Sequence, residues 1–421
     1  MPDSEQCKVL QELVDKYTTS FPPFTPSASS SRARGEFNGI VVLLSGSTGV
    51  FGSNILAKLA ASPFVKRTYA VSRPSVNGLT VHERHARAFR REGISEALLN
   101  DGNVRFLDGD FSMEGFGMEA RVFAKLQSTV THIIHNGWQV NFNVPVEKFE
   151  ANFRSVRKLV DFALHSQVND DRPAKLIFIS SLGVFRCVDP SDPNKVWPEE
   201  RLVKPNSALE TGYTEAKWVS EQILSEAASH TALQPTVVRI GQLVGGPNGY
   251  WSEREWFAAL IKSSIFLGML PDLPEILSWN TAPVAAQALL DMLNSSEPYL
   301  HLVHPKPVGW NVIISIFSRK LRVPVVPLDA WADALEHSHE LALSNASQKS
   351  GTQSREVMRK AMQQNPALRM LVLFTHGRTT SRSKKGGKRT AYDSNAARTL
   401  GEGTRCIFDT QRSELTPDWW G

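Results

Sequence analysis

The sequence predicts an α/β fold of the Rossmann kind, a doubly wound parallel sheet followed by a smaller, mostly helical C-terminal subdomain. Three observations predict it. Short apolar strands alternate with helical patterns between residues 40 and 245, the mark of a parallel sheet covered on both faces. The first strand runs into a glycine turn that opens a helix. The strands end in Gly46, Arg73, Asp110, Asn136, Ser181 and Gln242, which gathers polar chemistry at the carboxyl edge, where such sheets bind ligands.

The elements follow in order. Val9, Leu10, Leu13, Val14 and Tyr17 have the spacing of one amphipathic helix over residues 5–19. "SFPPFTPSASSSRARGEFN" is rich in Pro and Ser and reads as a linker, so residues 1–37 form a helix and linker. In 38–245, "IVVLLSG", "RTYAVSR", "NVRFLDGD", "VTHIIHNGW", "AKLIFISSLGV" and "PTVVRIGQLVG" read as six strands. Helical patterns at 53–61, 149–166 and 214–229 lie between them. From 246 to 372 the alternation fades into helices rich in Trp and Leu, a substrate subdomain. Residues 373–421 hold little core-forming content and read as a basic, flexible tail.

Composition narrows the class. With 421 residues, 41% apolar content and no run of 18 apolar residues, the chain reads as a soluble globule without a membrane span. "MPDSEQCKVLQELVDKY" has early acids and no apolar run, so it is not a signal peptide. Cys7, Cys187 and Cys406 show no CxxC spacing, which fits a reducing cytoplasm with neither disulfide framework nor zinc. The eleven histidines form no HExxH, so no metal is expected. The net charge of +5 is local: nine Lys or Arg and no acid lie between Met358 and Tyr392, leaving 38 basic against 42 acidic residues elsewhere. "SRSKKGGKR" lacks interleaved aromatics and reads as a solvated tail, not a nucleic-acid partner site.

"SGSTGVFGSN" places Gly46, Gly49 and Gly52 after a strand and before a helix. A tight turn needing positive φ would account for the glycines alone. The strand–turn–helix context also points backbone N–H groups and a helix dipole at a pyrophosphate. Gly46, Ser47, Thr48, Gly49, Val50, Phe51 and Gly52 are therefore candidate cofactor-binding residues. No Lys-Ser/Thr follows, so this is not a Walker A loop. NAD-binding folds place an acid about 20 residues on, at the ribose 2′-hydroxyl. Here Arg73 lies 21 residues after Gly52, which suits the 2′-phosphate of NADP(H), with Arg84 as a second clamp. Asp110 and Phe111 can border the adenine, and Asn136 and Gly137 the nicotinamide ribose; each pair can equally be an ordinary strand exit.

"TGYTEAKW" sets Tyr213 and Lys217 four residues apart on one helix face. A lysine ammonium one turn away lowers a phenol's pKa, and the phenol can then protonate an oxygen as hydride reaches carbon. Ser180 and Ser181 stand at a strand end, where a hydroxyl can hold the same oxygen.

With these motifs, "VTHIIHNGWQVNFN", "VVRIGQLVGG" and "GYWSEREWFAALIKSSIFLGMLP" extend a match over roughly residues 38–290. The chain resembles an extended short-chain dehydrogenase/reductase, and more narrowly the terminal thioester reductase domain of fungal adenylate-forming reductases and nonribosomal peptide synthetases. The resemblance implies NADPH-dependent reductive release of an acyl thioester from a carrier protein's phosphopantetheine arm, giving an aldehyde in secondary metabolism. It implies that Ser181, not Ser180, and Tyr213 hold and protonate the carbonyl oxygen while Lys217 orients cofactor and tyrosine. It also implies that Trp251 and Trp256 line an acyl tunnel, although both can simply pack a helix. Two departures stand out: "WNTAPVAA" has alanine where the family has an acid, and nothing after about residue 372 matches. No adenylation or carrier domain is present, so the thioester is expected to come from elsewhere. The competing readings are a reductase or epimerase of a free ketone or sugar and a non-catalytic NADP-binding regulator; the retained tyrosine and lysine argue against the regulator.

Overall fold

The computed structural model describes residues 2–24, 39–371 and 374, apart from 76, 101, 143, 167, 169–171, 186, 188–196, 210, 247 and 274. The six expected strands form as β1 (Ile40–Ser45), β2 (Val65–Ser72), β3 (Val104–Asp108), β4 (His132–His135), β5 (Lys175–Ser181) and β6 (Thr236–Ile240). A seventh, Tyr299–Leu302, pairs in parallel with β6, so the sheet runs edge strand–β6–β5–β4–β1–β2–β3. Every pairing in it is parallel. Central strands such as β1 are buried along nearly their whole length, as a sheet covered on both faces requires. The winding reverses at β1, which pairs with β2 on one side and β4 on the other. Chain connections therefore leave in opposite directions beyond Ser45 and His135 and open a crevice there.

Two compact units divide the described residues. The first holds the sheet and runs to Tyr250, then resumes over Trp279–Val303. It contains α1 (Pro2–Thr18), α2 (Val50–Ala61), α3 (Val81–Glu92), α4 (Ala120–Gln127), α5 (Glu150–Leu164) and α6 (Gly212–His230). The second holds α7 (Trp256–Leu267), α9 (Trp310–Leu321), α10 (Leu328–Ser347) and α11 (Gly351–Gln364). This differs from an expected break at 245. The stretch 279–303 supplies α8 (Ala282–Asp291) and the edge strand to the first unit. Ala285 and Leu289 of α8 share an apolar cluster with Ile55 and Leu59 of α2. Ala285, in "WNTAPVAA", is fully buried.

The N-terminal helix also belongs to the first unit. Leu10, Val14 and Tyr17 are buried in the cluster that includes Phe153 and Trp218, and Tyr17 and Lys16 both bond Glu150. In the second unit the aromatic residues pack on one another: Trp256 stacks on Trp310 at 6.3 Å, and Trp251 lies 5.0 Å from Phe257. The 25–38 linker and the tail beyond 374, with "SRSKKGGKR", lie outside the described residues. Among the described residues no helix is long and apolar enough to cross a membrane, and no group of three or more His, Cys, Asp or Glu could hold a metal.

One ion pair is sealed inside the first unit. Arg239 of β6 and Glu221 of α6 are both 0% exposed and bonded at 2.7 Å. Arg239 also donates to the carbonyls of Pro198 and Glu200. Removing one member strands a buried charge, so Arg239→Ala should lower the unfolding free energy by about 3–5 kcal/mol, measured by urea denaturation.

Candidate active site

The glycine turn is built by close approach. Gly46 has φ +70, and a Cβ on it would come within 2.6 Å of the Gly137 backbone. On Gly52 a Cβ would overlap the Gly46 carbonyl oxygen. These two glycines let the end of β1, the start of α2 and the exit of β4 touch. Gly49 is different: its φ is −77, it is exposed, and a Cβ would meet only the Gly46 oxygen, at 3.5 Å. It is the N-cap of α2, which has no side-chain cap and no acid in its first turn. The first-turn amides therefore keep their positive end open, with space in front of it. Such a cradle fits the pyrophosphate of a dinucleotide.

The turn residues divide by role. Ser47 is 0% exposed, and its hydroxyl is bonded to His85 Nε2 at 2.7 Å, so only its backbone is left for a ligand. Phe51 is buried in an apolar cluster and offers only its amide. Thr48 and Val50 are partly exposed, and the Thr48 carbonyl accepts from Arg91 Nη2 at 3.1 Å.

Beyond the turn, Arg73 is exposed at the end of β2. Arg84, expected as a second phosphate clamp, has another use. Its Nη1 donates to the Arg73 carbonyl at 2.7 Å and its Nη2 to Asp108 at 2.8 Å, so it fixes the backbone that carries Arg73. Asp110 accepts from the amide and hydroxyl of Ser112 at 2.9 and 2.7 Å, a turn stabilised by its own carboxylate. The Phe111 ring packs into the core at 4.7 Å from Phe116. Asn136 and Gly137 are likewise part of the frame. Asn136 Nδ2 donates to the Gly46 carbonyl at 3.2 Å, and the Gly137 amide donates to Ser45 Oγ at 2.8 Å.

The three catalytic candidates meet where β5 passes to α6. Thr211 caps α6 in a reciprocal box with Thr214, which fixes the helix start beside Tyr213. Ser180 is buried and donates to Glu221 at 2.5 Å, so it faces away from the crevice. Ser181 is partly exposed and accepts from the Gly183 amide at 3.0 Å, and its hydroxyl lies close enough to the Tyr213 phenol to favour the phenol's charged form. Lys217 Nζ donates to the Ile179 carbonyl at 2.7 Å and lies 3.8 Å from the Trp138 ring centre. Sequence reasoning missed Trp138 as the floor under this lysine, although "HNGW" contained it.

The electrostatics reverse one expectation. Burial pushes the Tyr213 phenol up to about 12, opposed by the Ser181 hydrogen bond. Burial also drives the Lys217 ammonium well below its usual value, against the pull of Glu221. Desolvation disfavours the charged form of each group. The lysine thus does not lower the phenol here; Tyr213 holds its proton throughout the neutral range.

The chain thus combines a parallel Rossmann sheet, a glycine turn at its switch point and a Ser–Tyr–Lys cluster beside it. The chain belongs to the NAD-binding family described as male sterility protein, whose model matches residues 44–290. It is 37% identical over 367 residues to the adenylate-forming reductase Nps10 of Heterobasidion annosum, a match covering 87% of this chain and 32% of that protein. It is 31% identical over 357 residues to a carboxylic acid reductase of Neurospora crassa, covering 79% of this chain and 32% of the relative. The terminal R domain from the myxalamid PKS-NRPS pathway shares the fold with a TM-score of 0.67 at 22% identity, covering 94% of this chain and 93% of that one. The resemblance expected from the motifs is thereby shown. The chain spans about a third of the length of these curated relatives.

The two kinds of glycine predict different outcomes. Gly52→Ala forces a backbone shift and should cost about 1–3 kcal/mol of stability together with nucleotide binding. Gly49→Ala should cost about 1 kcal/mol or less, yet still weaken binding by filling the approach to the amides. Urea unfolding and fluorescence titration with NADPH separate the two.

Proposed function

We propose that this chain reduces an acyl thioester, carried on the phosphopantetheine arm of a carrier protein, and releases it as an aldehyde at the expense of NADPH. The observation that carries this reading is the cluster of Ser181, Tyr213 and Lys217, with the serine hydroxyl beside the phenol and the lysine one turn along α6, held by the Ile179 carbonyl. Two hydroxyls at one point can hold a single carbonyl oxygen from two sides. Phe142, 52% exposed, lies 4.8 Å from the Tyr213 ring, and Val140 is 68% exposed. An apolar acyl chain suits the exposed Phe142 beside Tyr213 better than a free sugar does.

In this reading the nicotinamide supplies hydride to the thioester carbonyl carbon. Ser181 donates to the carbonyl oxygen and polarises it. Tyr213 transfers its phenolic proton to that oxygen as the C–H bond forms, which leaves a hemithioacetal and a tyrosinate. Its raised affinity for the proton keeps the phenol charged with its proton before the step, and solvent returns the proton afterwards. The hemithioacetal then loses its hydroxyl proton as the C–S bond breaks, and the departing thiolate is protonated. The products are aldehyde, free thiol and NADP⁺. Beyond its bond to the Ile179 carbonyl, Lys217 Nζ keeps a further N–H donor that can bond the nicotinamide ribose.

Arg73 supports NADPH over NADH, since an exposed guanidinium at the end of β2 can pair with a 2′-phosphate. The adenylate-forming and carboxylic acid reductases that this chain resembles are reductases by name, which supports the same reaction type. A carrier-bound substrate in a reducing cytoplasm completes the reading.

The test is NADPH consumption at 340 nm with acyl-pantetheine and acyl-carrier thioesters, free acids with ATP, ketones and sugars. Aldehyde and thiol should appear only with the thioesters, faster with NADPH than with NADH. Tyr213→Phe should lower turnover at least about 100-fold while NADPH affinity changes little. Reduction of ketones or sugars with none of the thioesters would overturn the assignment.

A further inference from the structure

The proposed reaction leaves a buried histidine unused. His85 is 0% exposed on α3, 4.5 Å from the Phe106 ring. Its Nδ1 is 2.7 Å from the Val81 carbonyl and its Nε2 is 2.7 Å from Ser47 Oγ. A carbonyl oxygen only accepts, so Nδ1 carries the proton and Nε2 is a bare acceptor. Ser47 must then donate to it. Burial holds the ring neutral, with its pKa lowered to about 4, so this polarity persists at neutral pH.

The same helix grips the cofactor cradle at two more points. Arg91, at its far end, donates to the Thr48 carbonyl at 3.1 Å and pairs with buried Glu92 at 2.7 Å. Arg84 holds the Arg73 carbonyl at 2.7 Å. α3 therefore touches the glycine turn at Ser47 and Thr48, and also the backbone of Arg73.

We infer that His85 is a positioning residue for the cofactor: by accepting from Ser47 it fixes the glycine turn whose amides meet the pyrophosphate. The inference rests on a nicotinamide dinucleotide seating on that turn. With Gly46 at φ +70, tied through its carbonyl to Asn136 and Gly49, the direction of the next amides depends on where Ser47 is pinned. The contact lies wholly inside the protein, so its effect on a ligand is indirect. It should act on the phosphate end of the nucleotide and not on the 2′-phosphate, which Arg73 would meet.

Two substitutions separate the acceptor from the bulk of the ring. A glutamine at 85 reaches the level of Nε2 and can accept from Ser47. An asparagine reaches only Nδ1, and can bond Val81 but not Ser47. The measurements are dissociation constants for NADPH and for 2′-AMP, which carries the 2′-phosphate without a pyrophosphate, by calorimetry at neutral pH. His85→Asn should weaken NADPH about tenfold, the equivalent of one hydrogen bond, and leave 2′-AMP unchanged. His85→Gln should restore NADPH affinity. Ser47→Ala, which leaves the histidine in place, should reproduce the asparagine pattern if that variant does not fold. Equal NADPH affinity in the Gln and Asn variants, or in Ser47→Ala and the wild type, would overturn the inference. So would a parallel loss of 2′-AMP. A wild-type protein that binds neither nucleotide would instead refute the dinucleotide site itself.

Discussion

The buried pair of Arg239 and Glu221 is the constraint from which the candidate site follows. A charge pair with no exposure adds little net stability, because the cost of removing two ions from water nearly cancels their attraction. Its consequence is geometric. Glu221 also accepts from Ser180, so β5, β6 and α6 are joined at one point. That junction turns the first of two adjacent serines inward and leaves the second, Ser181, to face Tyr213. It also fixes α6 in rotation, which sets Lys217, one turn before Glu221, above the Trp138 ring and against the Ile179 carbonyl. Rotating α6 to expose Lys217 would break four hydrogen bonds between Arg239, Ser180 and Glu221.

Burial then decides the protonation states. Tyr213 and Lys217 are driven in opposite directions from their ordinary values, yet both shifts favour the uncharged form. A neutral phenol is the state a general acid needs before proton transfer. In this frame the catalytic pair does not depend on a lysine ammonium acidifying a tyrosine at rest. In the proposed reaction Lys217 serves as a donor held in place by the Ile179 carbonyl.

The parts of this structure that were legible in the sequence are local. Strand, glycine turn and helix follow one another directly between Ile40 and Ala61, and Tyr213 and Lys217 share a helix face by spacing alone. The parts that were not legible depend on tertiary partners. α3 carries "HERHARAFRRE", whose core-facing positions include His85 and Glu92, so apolar periodicity could not reveal it or the support it gives the turn. The edge strand is four residues long in a stretch that otherwise reads as helical. The pairing of Arg84 with Asp108 is invisible in sequence distance, because it depends on Asp108 ending the neighbouring strand. Phe111 is a similar case, since only the packed Phe116 shows which way the ring turns.

In the proposed reaction hydride passes to a thioester carbonyl beside Ser181 and Tyr213. Incubation of an acyl-pantetheine thioester with NADPH deuterated at the transferring position of C4, followed by mass spectrometry of the product, tests it most directly. The expected product is an aldehyde with one deuterium on its carbonyl carbon, together with an equivalent of free thiol. An unlabelled aldehyde, or thiol released by hydrolysis to the acid with no deuterium transferred, would contradict it.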